Sequence, residues 1–180
     1  MKNINLAPLI KIVKKFRNFV RESSLNKNCA FLTIYQNPQE DIMNKIILVV
    51  EDKKEEQLIA KKVVLDSGNK VIIADTLNKA ETFIEKFSEK LSGIITDIHF
   101  PIDSARENAS GANGISIVIT SLRHDVPCAV RTDDVAHGAS YIPLILKRLE
   151  ILAEREIPIS GTKDWNKTLQ QLTHILEEKS

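Results

Sequence analysis

Five short apolar runs recur along this chain, and each is followed by a segment whose apolar residues fall at helical spacing. The runs are Ile46–Val50, Val71–Ala74, Gly93–Thr96, Pro127–Val130 and Ile157–Ile159. Most are rich in β-branched residues and lack polar alternation, the pattern of strands buried on both faces. The intervening segments Lys53–Leu65, Leu77–Lys90, Ala139–Glu154 and Trp165–Glu178 read as helices. Gly114–Leu122 reads as a helix whose isoleucines would also permit a strand, and 102–113 is polar and small enough to be a loop. Pro158 suits a strand at a sheet edge. Strand–helix alternation with short connections predicts a parallel sheet covered by helices on both faces. Right-handed crossovers make it an open, doubly wound α/β fold.

The same spacing predicts which faces turn inward. Leu58, Ile59 and Val63 are the candidates on the first helix, and Ala80, Phe83, Ile84 and Phe87 on the second. Ile142, Ile145, Leu146, Leu149 and Leu152 serve the fourth, and Leu169, Leu172, Ile175 and Leu176 the last. This domain is expected over residues 43–180. Residues 1–42 differ in kind, with seven basic and three acidic side chains in a chain that holds 25 and 24 overall. Leu6, Leu9, Ile10, Val13, Phe16 and Val20 lie at helical spacing among lysines, and Gln36 to Asp41 reads as a linker. The expectation is a basic amphipathic helix whose apolar stripe docks on the domain or on a second copy, giving a homodimer. Contact with a membrane surface is the weaker reading.

Several classes are excluded early. No apolar stretch approaches the ~20 residues of a membrane-spanning helix. A net charge of +1 is low for a wholesale nucleic-acid binder. Cys29 and Cys128 form no C-x-x-C pair, which provides neither a disulfide framework nor a zinc site and suits the cytoplasm. A separate output domain is not expected within 180 residues.

In doubly wound sheets ligands bind outside the carboxyl ends of the strands. Those ends carry Glu51 and Asp52, then Asp97, then Thr132, Asp133 and Asp134, then Gly161, Thr162 and Lys163. Carboxylates gathered at one edge repel one another unless a cation intervenes. Oxygen ligands favour a hard divalent ion such as Mg²⁺. Lys163 and the Thr132 hydroxyl suit phosphoryl oxygens, and Asp97 suits a carboxylate nucleophile. Taken singly, each residue has a plainer reading: Asp52 or Thr132 as a helix cap, Lys163 as a solvated lysine. Their conjunction at the ends of these strands carries the argument.

At this point the sequence resembles the receiver domain of bacterial two-component response regulators, typified by the chemotaxis response regulator. The resemblance runs from Lys45 to Leu176 and rests on ILVVED, ITDIHFP, CAVRT and ISGTK. It implies a flavodoxin-like, five-stranded sheet in the order 2-1-3-4-5. It implies that Asp97 accepts a phosphoryl group from a sensor histidine kinase or phosphotransfer protein. It further implies that Glu51, Asp52, Asp97 and the backbone carbonyl of His99 hold Mg²⁺, with Thr132 and Lys163 binding the phosphoryl group. Any enzymatic activity would be limited to the receiver's own phosphorylation and dephosphorylation.

The sequence departs from that pattern in four places. Asp133 follows Thr132 where the family has a small residue, and Asp164 follows Lys163 where it has proline. Strand five lacks the family's aromatic residue. The interval from Thr132 to Lys163 is long, and the 102–113 loop adds residues beside the site. A second reading is therefore a degenerate receiver that serves as an interaction or dimerisation module. A third is a metal-dependent enzyme using Asp97, His99 and His137 with Asp133 and Asp134, although solvent-facing loop histidines are the plainer reading.

Overall fold

The computed structural model describes residues 45–106, 111–132, 141–161 and 164–178. The predicted amphipathic helix and linker, with Asp133, Asp134, His137, Thr162 and Lys163, lie outside them. The strands are β1 (Ile46–Val50), β2 (Lys70–Ala74), β3 (Leu91–Thr96), β4 (Cys128–Arg131) and β5 (Ile159–Ser160). The helices are α1 (Lys54–Asp66), α2 (Leu77–Phe87), α3 (Gly114–Arg123), α4 (Tyr141–Ala153) and α5 (Trp165–Glu178). All five strands pair in parallel, in the order β2-β1-β3-β4-β5. This is the expected flavodoxin-like doubly wound sheet. Gly114–Arg123 is helical, which resolves its ambiguity; β5 lies at the sheet edge as expected, but it is Ile159–Ser160 rather than Ile157–Ile159, so Pro158 precedes the strand.

The sheet separates two cores. One, on the α2–α3–α4 side, gathers Ile84, Phe100, Ile117, Val118, Ile142 and Leu146 against Leu48, Val50, Ile94 and Val130. The other lies under α1 and α5 and joins Ala60, Val64, Trp165, Leu169 and Leu172 to Ile47, Val49, Ile95 and Ala129. Side-chain alternation along β1, β3 and β4 deals successive residues to the two sides. At Gly93 a Cβ would lie 2.8 Å from Leu172 Cδ2, so α5 settles onto β3 at close range.

The inner face predicted for α1 needs correction in part. Val63 packs against the core as expected, but Leu58 and Ile59 are 69% and 50% exposed, and Ala60 and Val64 are the buried residues. Gln57 accounts for part of this rotation: its Nε2 donates to the backbone carbonyl of Glu51 at 2.7 Å. That bond fixes the first turn with Gln57 toward the sheet, and Ala60 and Val64 follow on the same face. The other helices match better. Ala80 and Ile84, Ile142 and Leu146, and Leu169, Leu172 and Ile175 are buried on the predicted faces, although Phe87 is exposed. Among the described residues no helix is long and apolar enough to cross a membrane.

Candidate functional site: a buried acidic edge with its own arginine

In the order β2-β1-β3-β4-β5 the strand sequence reverses between β1 and β3, and their carboxyl ends are where a ligand site is expected. Glu51 and Asp52 leave β1 there, and Asp97 leaves β3. Backbone bonds hold these ends: Asp97 N–H donates to the carbonyl of Val50 at 2.9 Å, joining β3 to β1, and Glu51 N–H to that of Ala74 at 3.0 Å, joining β1 to β2. Asp97 is held further by its own turn. Its Oδ1 accepts from Ile98 N–H at 2.7 Å, and its carbonyl accepts from the Thr96 hydroxyl at 2.7 Å.

Gly114, the first residue of α3, reinforces this turn. Its N–H donates to the carbonyl of Ile98 at 3.0 Å. A Cβ at this position would lie 2.2 Å from the Asp97 carbonyl oxygen and 2.8 Å from Ile98 Cα. Only glycine permits the helix to press so closely on the Asp97 backbone. The long 102–113 loop is anchored rather than loose at its near end: Leu77 N–H and Asn78 N–H donate to the carbonyls of Pro101 and Ile102 at 3.0 and 3.1 Å. Asn113 Nδ2 donates to the Phe100 carbonyl at 2.6 Å, and Phe100 bridges to Gly111.

The three carboxylates are not equivalent. Asp52 is half-buried, and its Oδ1 is enclosed without a hydrogen-bond partner. It does not serve as the cap of α1, since Lys53 occupies that position without a side-chain cap bond. Glu51 is fully buried, and both its oxygens are engaged: Oε1 accepts from Lys53 N–H at 3.1 Å and Oε2 from Arg131 Nη1 at 2.8 Å. Burial and, next, the negative charge of Asp97 raise the Glu51 carboxyl to about 7, while the Lys53 N–H and Arg131 act in the opposite direction.

Arg131 was not among the expected site residues. It ends β4, one residue before Thr132, and is 2% exposed. Its Nη2 donates to Glu56 Oε2 at 2.6 Å, and its guanidinium lies 4.2 Å from the centre of the Trp165 ring. Trp165 Nε1 donates to the same Glu56 oxygen at 2.9 Å. A cation, two carboxylates and an indole thus form one network from β1 and α1 across to α5. The signal was present in the sequence: an arginine within an otherwise apolar strand needs a buried anionic partner.

Thr132 is buried, with its N–H donating to the Ser160 carbonyl at 3.0 Å, so it stands at the carboxyl end of β4 as predicted. His99 is half-buried in the turn after Asp97. Among the described residues no three acidic, histidine or cysteine side chains are gathered closely enough to hold a metal ion by themselves. The geometry explains this, because Glu51 is turned to Arg131. What fits Mg²⁺ is a smaller set. Magnesium keeps several waters and binds through one or two carboxylates. The enclosed, unpartnered Asp52 oxygen is suited to be one of them, with Asp97 and the His99 carbonyl on the neighbouring turn.

No protein-family model and no curated protein matches the chain. Solved structures do. A CheY-like receiver domain from Methanospirillum hungatei is 18% identical, with a TM-score of 0.55, over 75% of this chain and 95% of that one. The signal receiver domain of an HD domain-containing protein from Pseudomonas fluorescens is 15% identical, with a TM-score of 0.56, over 85% and 95%. A chemotaxis response regulator of Vibrio cholerae is 14% identical, with a TM-score of 0.55, over 74% and 99%. The chain has the receiver-domain fold.

Proposed function

We propose that this chain is a receiver-type signalling protein that accepts a phosphoryl group on Asp97 in a Mg²⁺-dependent phosphorelay. The observation that carries this reading is the placement of Asp97. It ends the central strand at the switch in strand order, with its backbone clamped by Val50 and Gly114, beside an unpartnered Asp52 oxygen. Phosphoryl transfer asks mainly for positioning and charge neutralisation, and this edge supplies a rigid acceptor.

In the proposed reaction a carboxylate oxygen of Asp97 attacks the phosphorus of a phosphohistidine on a sensor kinase or phosphotransfer protein. A P–O bond forms and the P–N bond breaks. The electron pair leaves on the imidazole nitrogen, and the product is an acyl phosphate. The Ile98 N–H holds Asp97 Oδ1 and so fixes the orientation of the carboxylate. The Thr132 hydroxyl and Lys163 are assigned to the phosphoryl oxygens. A bound Mg²⁺, held by Asp52, Asp97 and the His99 carbonyl, would neutralise charge on those oxygens. Incubation with a small phosphodonor and Mg²⁺ should give a hydroxylamine-labile phosphate adduct that is absent from Asp97→Asn. No adduct on the wild-type chain overturns the reading.

One observation favours the degenerate-receiver alternative. Arg131 already neutralises Glu51, which allows the acidic edge to persist as a structural unit without a metal. Absence of both an adduct and Mg²⁺ affinity would select an interaction or dimerisation role. A cytoplasmic setting and homodimerisation through residues 1–42 complete the proposal. Comparing oligomer mass with and without those residues tests the latter.

A further inference from the structure

Arg131 raises a question that the phosphoacceptor reading does not answer. Its neighbours in β4 are Cys128, Ala129 and Val130, all buried and apolar or weakly polar. A cation enclosed at such a position is unfavourable unless it is paired, and Glu56 alone would supply a pair. Yet the guanidinium spans Glu56 and Glu51, using one terminal nitrogen for each, while its Nε has no hydrogen-bond partner. The fork is set by its two carboxylates and by the Trp165 ring rather than by full satisfaction of its donors. Glu51, Asp52 and Asp97 together carry up to three negative charges, and a divalent ion offsets only two.

We propose that Arg131 is a positioning residue, a tethered counter-charge that draws Glu51 away from a divalent cation at the acidic edge and thereby weakens that cation's binding. The inference rests on the Mg²⁺ reading of the preceding section. Arg131 withholds the buried Glu51 carboxylate from the metal and sets a like charge beside the same edge, so the hold of the guanidinium on Glu51 is felt in the affinity for the metal. Trp165, stacked on the guanidinium and bonded to Glu56, senses the exchange, and it is the sole tryptophan in the chain. The device also provides a route from the acidic edge to α1 and α5 that does not need the missing aromatic residue of β5.

The test is Mg²⁺ titration of the full chain by calorimetry and by Trp165 emission. Wild type should bind with a saturable emission change. Arg131→Met should bind about tenfold tighter or more, because a nearby cation has been removed, and its emission should no longer respond. Arg131→Lys, which keeps the charge, should bind close to wild type. Glu56→Gln leaves the guanidinium wholly to Glu51 and should bind several-fold more weakly. It lies at the half-exposed rim of the network, so this variant keeps the test available if Arg131→Met does not fold. Opposite shifts in the two variants are what a merely structural role would not produce. Equal affinities across wild type, Arg131→Met and Glu56→Gln, with all three binding, overturn the inference and leave the metal reading intact. Binding by none of them overturns both.

Discussion

The two sides of the sheet solve different problems. On the α2–α3–α4 side the buried side chains are almost all aliphatic or aromatic, led by Phe100, Ile84, Ile117 and Leu146. On the α1–α5 side a smaller apolar cluster shares its space with Arg131, Glu51 and Glu56 beneath Trp165. Hydrophobic burial needs no partner, and its benefit scales with area. A buried ion network is favourable only while every member is present. The apolar side therefore gives the domain its bulk stability, and the ionic side makes the packing of α1 and α5 responsive to charge at the carboxyl ends of the strands.

Five substitutions would break or sharpen that contrast. The largest effect is expected where the apolar side meets the site. Gly114→Ala places a methyl group against the Asp97 backbone, and no rotamer change relieves a clash of main chain with Cβ. Denaturant unfolding should show a loss above about 4 kcal/mol, or no folded protein. A loss under about 1 kcal/mol would mean that α3 does not clamp Asp97.

Arg131→Ala comes next, at about 3–5 kcal/mol, the usual result of leaving buried charge unpaired. Chemical denaturation at neutral pH, repeated at pH 5, separates the ionic from the packing contribution. The penalty should shrink at pH 5, where Glu51 can take up a proton and no longer needs its partner. An equal penalty at both values would make Arg131 a packing residue only.

Glu51 itself should make metal-free stability depend on pH. Its carboxyl is raised from 4.5 to about 7 in the folded chain. The folded state thus holds the proton over a range in which the unfolded state has released it. Stability is highest below pH 4.5 as far as this group is concerned, and it falls as pH rises toward 7. A shift of this size corresponds to roughly 3 kcal/mol. Asp97, Asp52, Arg131 and the Lys53 N–H face the group, and Glu51→Gln should flatten the slope. An unaltered slope would place the titration elsewhere.

The smallest effect belongs to the exposed face of α1. Leu58→Ser should change stability by no more than about 0.5 kcal/mol, because Leu58 faces solvent. Leu146→Ala, on the apolar side, should cost about 2–5 kcal/mol. Thermal melts of the pair check both. A large cost at Leu58 would restore the inner face predicted from spacing.

Those residues also show what was legible in the sequence and why. β1, β3 and β4 were readable because burial on both faces leaves a continuous apolar run with no alternation to misjudge, whereas the short edge strand β5 was placed two residues early at its start. Trp165–Glu178 was bounded correctly at both ends, since its apolar spacing is regular and Asp164 precedes it, with Oδ1 accepting from Lys167 N–H at 3.1 Å. The face of α1 was not readable. Its apolar residues outnumber its buried positions, and a polar residue, Gln57, sets the rotation by bonding to a backbone carbonyl beyond the helix. Glu51, Asp52 and Asp97 could be assigned to one edge from topology alone. That Glu51 turns inward to Arg131 depends on a strand 80 residues away, and spacing within a single element carries no such information.

Borohydride trapping tests the central claim most directly. Reduction of an aspartyl phosphate converts that aspartate to homoserine, which peptide mass mapping locates to one residue. After treatment with a small phosphodonor and Mg²⁺, homoserine is predicted at position 97. Recovery of intact aspartate there, or of homoserine at position 52 instead, would contradict the assignment of Asp97 as the phosphoacceptor.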